Sequence, residues 1–237
     1  AKPAAPASQP GLPDRFAGYS PLTSTVTKAP PGRAIALYEY GNNELFTMFQ
    51  WLVVGADLDT YRQVDAMGER RNPSILLAPD GRHVLLGDAR GATGHLLLVD
   101  LTTGKRRSIP LGDTIGVRLL AWSPDGRHVA YGTAPVSWDD SSNFVEYQVA
   151  RTGTLRLLDL STGRSTEVPA VRPVWTAAFA PDSRRLAVQV GKRAHLVELD
   201  GRLTGSVDIP AGREVAPNVG WSPDGRFFAT VPWAADG

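Results

Sequence analysis

Apolar residues in this chain come in short runs, and most runs end at a cluster of Pro, Asp, Gly or Ser/Thr-Gly. The segments VRLLAW (117–122), HVAYGT (128–133), LRLLDL (155–160), RLAVQV (185–190) and HLVELD (195–200) are rich in Val, Leu and aromatic residues and alternate in part. Runs of this length and pattern predict β-strands buried on one or both faces. No stretch carries a convincing helical period, so the expected class is all-β.

The punctuation repeats. Aligned on proline, the chain contains Ala29-Pro30-Pro31-Gly32-Arg33, Ala78-Pro79-Asp80-Gly81-Arg82, Ser123-Pro124-Asp125-Gly126-Arg127, Ala180-Pro181-Asp182-Ser183-Arg184 and Ser222-Pro223-Asp224-Gly225-Arg226. The prolines are 49, 45, 57 and 42 residues apart. Spacings of this size mark a repeated supersecondary unit. A second turn follows in three middle units: LLLVDLTTGK (96–105), LRLLDLSTGR (155–164) and LVELDG (196–201). Two strand-turn-strand patterns per unit give four strands.

Turn chemistry explains the residues. Proline presets φ at the first corner of a type I turn, Asp accepts hydrogen bonds from the following backbone, and Gly takes the left-handed position that closes the hairpin. Ser183 stands where the other units have glycine and should cost about 1 kcal/mol if its φ is positive. Pro31 replaces the Asp, so the first turn is expected to have another geometry.

Four-stranded units at this period predict a β-propeller of antiparallel blades, with a β-sandwich as the competing all-β arrangement. Blades are expected at about 22–66, 73–110, 116–169 and 173–210, with the first half of a fifth at 215–237. Residues 1–20 read as a Pro/Ala-rich spacer and lead-in, and 21–237 as the propeller. Four and a half blades leave a ring to be closed by the N-terminal segment, by blades outside this sequence or by a companion chain.

The Ser/Ala-Pro-Asp-Gly-Arg turns followed by Leu-Asp-Leu-x-Thr-Gly resemble the blades of TolB-like propellers, relatives of the WD-repeat proteins, from about residue 22 onward. LPDRFAGYS and GRAIALYEYGNNELF also resemble uncharacterised propeller proteins of actinobacteria. The resemblance implies an interaction surface and carries over no catalytic residue. Such blades serve as binding platforms and as companion domains of peptidases.

Alternating strand direction places the A–B and C–D turns on one face, and the B–C and D–A connections on the other. The turn face gathers Arg33, Arg82, Arg127, Arg184 and Arg226 with Lys105, Arg106, Arg107 and Arg164, interleaved with Asp80, Asp125, Asp182 and Asp224. It can be read as an anion-attracting ring or as solvated turn residues. The opposite face bears the one long connection, APVSWDDSSNFVEYQVART (134–152). Its Trp138, Asp139, Asp140, Asn143, Phe144 and Tyr147 combine aromatic and polar groups in the way contact surfaces do, and are the candidate partner-binding residues. The alternative is that 144–149 simply extends the hairpin.

Composition narrows the chemistry. The 237 residues carry 25 basic and 24 acidic side chains, net +1, so no bulk charge calls for nucleic acid. Cysteine is absent, excluding disulfides and thiolate chemistry, and no apolar run is long enough to span a bilayer. Asp139 to Asn143 lacks the spacing of a calcium loop. The four histidines fall at strand ends, with His83 and His95 at opposite ends of one hairpin. Gly18-Tyr19-Ser20-Pro21-Leu22 lacks the second glycine of a nucleophile elbow. No catalytic, cofactor or metal residue is therefore assigned. The expected function is a non-catalytic binding or scaffold module for another protein or a cell-envelope component, extracytoplasmic, with the cytoplasm also open. The alternative is the propeller domain of a larger hydrolase such as a prolyl-oligopeptidase-like peptidase.

Overall fold

A computed structural model of the chain describes residues 16–18, 20, 22–42, 46–65, 74–88, 94–112, 115–135, 149, 151–216 and 220–232. The chain folds into successive antiparallel sheets. The first holds β1 (Ala34–Asn42), β2 (Phe46–Gly55) and β3 (Tyr61–Gln63). The second runs in the order β4 (Ser74–Leu77), β5 (His83–Asp88), β6 (Gly94–Asp100), β7 (Arg106–Gly112). The third is β8 (Ile115–Trp122), β9 (His128–Pro135), β10 (Thr154–Asp159), β11 (Ser165–Val168). The fourth is β12 (Thr176–Phe179), β13 (Arg185–Val190), β14 (Arg193–Glu198), β15 (Leu203–Asp208). β16 (Arg213–Val215) and β17 (Thr230–Pro232) form a last hairpin. First strands of neighbouring sheets pack on one another, β4 with β8, β8 with β12 and β12 with β16. Those strands are inner and the fourth strands form the rim: β12 is buried throughout, β15 exposed throughout. This is a β-propeller.

Period-two alternation assigns each strand's side chains to two different cores. Val84 and Leu86 of β5 join Val26, Ala34 and Val53 of the first unit, while Leu85 joins Val117, Leu119 and Tyr131 of the third sheet. Val129 and Tyr131 face the second sheet; Ala130 faces the fourth with Leu155, Leu186 and Val188. Both faces are buried, so these strands read as nearly continuous apolar runs. On the far side of the fourth sheet, Ala178, Ala187 and Ala194 leave room that Trp221 and Phe228 fill from the last hairpin. The Trp221 indole N–H donates to the Ala178 carbonyl at 2.9 Å.

Four repeated turns share one geometry. Gly81, Gly126, Ser183 and Gly225 have φ of 71°, 74°, 59° and 67°. Each N–H donates back three residues, to Ala78, Ser123, Ala180 and Ser222 at 2.8–2.9 Å. Each turn Asp accepts from the Arg N–H two residues on, at 2.8 Å for Asp80, 3.0 Å for Asp125 and Asp182, and 3.1 Å for Asp224. The Pro31 turn does differ: Gly32 donates across to the Leu101 carbonyl at 2.9 Å.

The first unit departs from the repeat in another way. Its turn leads into β1, the position that β5, β9 and β13 hold after theirs, and among the described residues no strand precedes it. Residues 24–26 instead run along the outside, parallel to β3: Val26 donates to Gln63 at 2.8 Å, and Gln63 to Ser24 at 3.1 Å. The edge of β3 is thereby covered.

Candidate functional site

The described ends of the long connection meet at a tightly built base. Its residues Trp138, Asp139, Asp140, Asn143, Phe144 and Tyr147 lie outside the described residues. Val149, Arg151 and Thr152 lie in a helical turn, so the hairpin does not extend to Val149; β10 begins only at Thr154. Val149 is fully buried. A Cβ on Gly132 would sit 2.6 Å from Val149 Cγ1 and 2.8 Å from Val174 Cγ1, so only glycine admits this packing. Gly153 donates to Val149 at 2.7 Å, and Val174 to Gly153 at 3.1 Å, which ties the base to the fourth sheet.

At the same end of the disc, three inner strands bring together residues distant in sequence. Arg118 of β8 lies opposite Gly132. Its guanidinium stands over the Trp175 ring, 5.6 Å from the centroid, and Nη1 donates to the Trp175 carbonyl. The Trp175 indole N–H donates to Glu214 Oε2 at 2.8 Å. Gln189, 4% exposed, accepts from the Val215 N–H at 2.8 Å, and its own carbonyl accepts from Trp175 at 3.0 Å. Arg213 Nε donates to Thr230 Oγ1 at 2.7 Å. A cation, an aromatic face and a carboxylate thus form a half-buried run across three consecutive sheets, beside the loop base. Such a run offers charge-assisted hydrogen bonds and stacking to a partner, and holds no nucleophile-and-base pair.

The signal for these residues was present but faint: Arg118 and Gln189 each interrupt an apolar strand, and Trp175 sits between Pro173 and Thr176. Their meeting depends on neighbouring sheets, which local pattern does not encode.

The turn face is built differently. Arg33 Nε donates to the Asp80 carbonyl at 3.1 Å, Arg106 pairs with Asp65 at 3.0 Å, and Arg107 reaches the Leu160 carbonyl at 3.4 Å. These cations tie adjacent sheets together. Two of the acids, Asp100 and Asp125, are held below the usual carboxylate range. Burial would raise Asp100, but hydrogen bonds from Thr102 and Thr103 bring it down to about 2. Asp125 is likewise lowered by the Ser123 hydroxyl and the Arg127 N–H against its own burial. The β5–β6 register, His83 opposite Asp100 and His95 opposite Asp88, separates the two histidines to opposite ends. Among the described residues no cluster of three His, Cys, Asp or Glu is arranged to hold a metal.

No protein-family model matches the chain. No curated protein matches it in sequence. Solved structures do match. A TolB of Agrobacterium tumefaciens superposes with a TM-score of 0.51 at 16% identity, over 81% of this chain and 62% of that one. An oligogalacturonate lyase solved with manganese gives 0.52 at 16% identity, over 88% and 57%. TolB of Acinetobacter baumannii gives 0.48 at 17% identity, over 70% and 38%. The chain spans less than two thirds of the length of these TolB structures. At such identities the likeness is one of fold alone: the chain has a β-propeller fold similar to that of TolB.

Proposed function

We propose that this propeller is a non-catalytic binding module whose contact surface is the loop-bearing face, centred on Arg118, Trp175 and Glu214 and extended by residues 136–148. The observation that carries the reading is the convergence of those three side chains, from β8, from the residue before β12 and from β16, beside the base of the longest connection. Partly buried Trp and Arg are the residues that most often dominate interface energies. The partner is a protein or cell-envelope component, and Trp138, Asp139, Asp140, Asn143, Phe144 and Tyr147 contribute to its capture. An extracytoplasmic setting, with residues 1–20 as a spacer, accords with their Pro/Ala-rich composition. Among the described residues no helix is long and apolar enough to cross a membrane.

The test immobilises the full chain and quantifies what it retains from the envelope fraction of its source cell. Deleting 137–144, or combining Arg118→Ala with Trp175→Ala, should lower retention at least about tenfold while melting stays cooperative. The turn-face variant Arg82→Glu/Arg127→Glu should retain as the unmodified chain does. Retention unaffected by the loop-face changes, or lost only with the turn-face variant, rejects this surface.

A further inference from the structure

In units two to four an inner strand lies along the second one: β4 on β5, β8 on β9, β12 on β13. The first sheet runs β1-β2-β3, and among the described residues no strand pairs with the inner edge of β1. Burial follows the difference. β9 and β13 are buried along their interiors, whereas β1 is half-buried over 35–38 and exposed at Tyr40. β4 borders the same edge. Its Leu76, turned toward the third sheet, is buried, but Ile75 and Leu77, turned toward the first unit, are only half-buried. β12, packed between β8 and β16, is buried at every position. Register identifies the backbone groups at the open edge. Gly55 donates to Thr60 and Val64 to Trp51, so odd-numbered residues of β2 bond to β3 and even-numbered ones to β1. Val54 and Leu52 stand opposite Ala36 and Tyr38, so the N–H and C=O of Leu37, between them, point to the open side. Pairing over 36–40 is regular, and the two register shifts of β1 lie on either side of it. At the turn end the Ala34 N–H donates to the Gly81 carbonyl at 2.7 Å, which bounds the open stretch.

We propose that the inner edge of β1 is a peptide-binding site, which takes an extended apolar segment of a partner protein as an inner strand antiparallel to β1. Strands of this chain occupy the same place in units two to four, and they define what fits. β4 and β12, Ser-Ile-Leu-Leu and Thr-Ala-Ala-Phe, each pair with the next strand over four residues, without proline and without a register shift. A segment seated on β1 turns alternate side chains toward Leu37, Ile75 and Leu77, and the others toward Tyr38. Both sides are apolar, since the Tyr38 ring carries the Phe16 ring 4.9 Å away. Main-chain hydrogen bonds along the edge supply affinity, and the alternate side-chain seats supply selectivity for a short run that is apolar on both faces. The site belongs to the first and second units, whereas Arg118, Trp175 and Glu214 belong to the third to fifth. It therefore goes beyond the loop-face reading and does not rest on it.

Fluorescence anisotropy tests the edge on the full chain, with a labelled peptide that carries Ser-Ile-Leu-Leu-Ala, the sequence 74–78, between terminal lysines. It should bind saturably at about 100 μM or below. The same peptide N-methylated at its Ile and first Leu keeps its side chains but loses an N–H on each edge, and should bind at least about tenfold more weakly. Leu37→Pro removes the N–H at the open edge and leaves the bonds to β2 in place; it should also weaken binding at least about tenfold. Leu37→Ala trims the same side chain, keeps the N–H and should weaken binding less. No saturable binding to the parent, equal binding of the methylated peptide, or equal losses in the two variants would each overturn the proposal. Circular dichroism establishes that each variant is folded, and should Leu37→Pro unfold, the methylated peptide carries the test alone. The peptide assay and the retention assay on the loop face report on different residues, so either reading can fail without the other.

Discussion

Ser183 offers a sharp test of how the repeat is held together. It occupies the left-handed position with φ 59°, where the equivalent turns have glycine. Turn chemistry alone makes Ser183→Gly stabilising by about 1 kcal/mol. The structure adds an opposing contribution: the Asp125 N–H, in the preceding sheet's turn, donates to the Ser183 hydroxyl at 3.0 Å, and Ser183 is 5% exposed. A hydrogen bond of this kind contributes about 1 kcal/mol net. Ser183→Gly therefore relieves strain and loses the bond, and should come out within about 0.5 kcal/mol of the parent. Ser183→Ala loses the bond and keeps the strain, for a loss of about 1 kcal/mol, or roughly 2–4 °C in Tm for a chain of this size. Urea unfolding of the three proteins, with calorimetry as a second probe, reads these differences. A Gly variant more stable than the parent by 1 kcal/mol or more would show that the hydroxyl bridges nothing, and equal stability of the Ala and Gly variants would show that the backbone is unstrained.

Other positions test the same account. Gly126→Ala meets open space at φ 74° and should cost about 1 kcal/mol, whereas Gly81→Ala brings a Cβ within 2.1 Å of the Ala34 carbonyl and should cost about 2–4 kcal/mol; equal losses in urea unfolding would contradict the packing of first unit on second. Asp100 is depressed from 3.8 to about 2, so its contribution is present above pH 3.8 and is lost as pH falls toward 2. Tm should therefore drop across that window, and less steeply in Thr102→Ala/Thr103→Ala; identical acid profiles would refute the role of those hydroxyls. Gly132→Ala should push Val149 out of its seat and speed proteolysis between 136 and 148, as followed by mass spectrometry, and unchanged cleavage would mean that Val149 does not anchor the loop.

Local chemistry made the repeat legible. Pro, Asp and Gly act within five residues of one another, so SPDGR fixes a hairpin without reference to the rest of the chain, and even Ser183 could be flagged from the pattern. The parallel addition of residues 24–26 to β3 could not be read, because it joins segments far apart in sequence and replaces the strand that the repeat places before Ala29. Arg118, Trp175 and Glu214 were also hidden. They meet across separations of 57 and 39 residues, and only the packing of inner strands brings them together. The aromatic and acidic residues of 138–147 were conspicuous in sequence for the opposite reason: they break a period kept by every other unit.

The account rests on successive sheets set around an axis, with the turns of all units on one face. The chain has no cysteine, so Arg82→Cys, Arg127→Cys and Arg184→Cys, all exposed turn positions, can be spin-labelled in pairs without background. Pulsed electron paramagnetic resonance should give similar distances for 82–127 and 127–184, and an 82–184 distance clearly shorter than their sum, as chords of one ring require. An 82–184 distance equal to that sum would describe sheets stacked in a straight line, and would contradict the propeller.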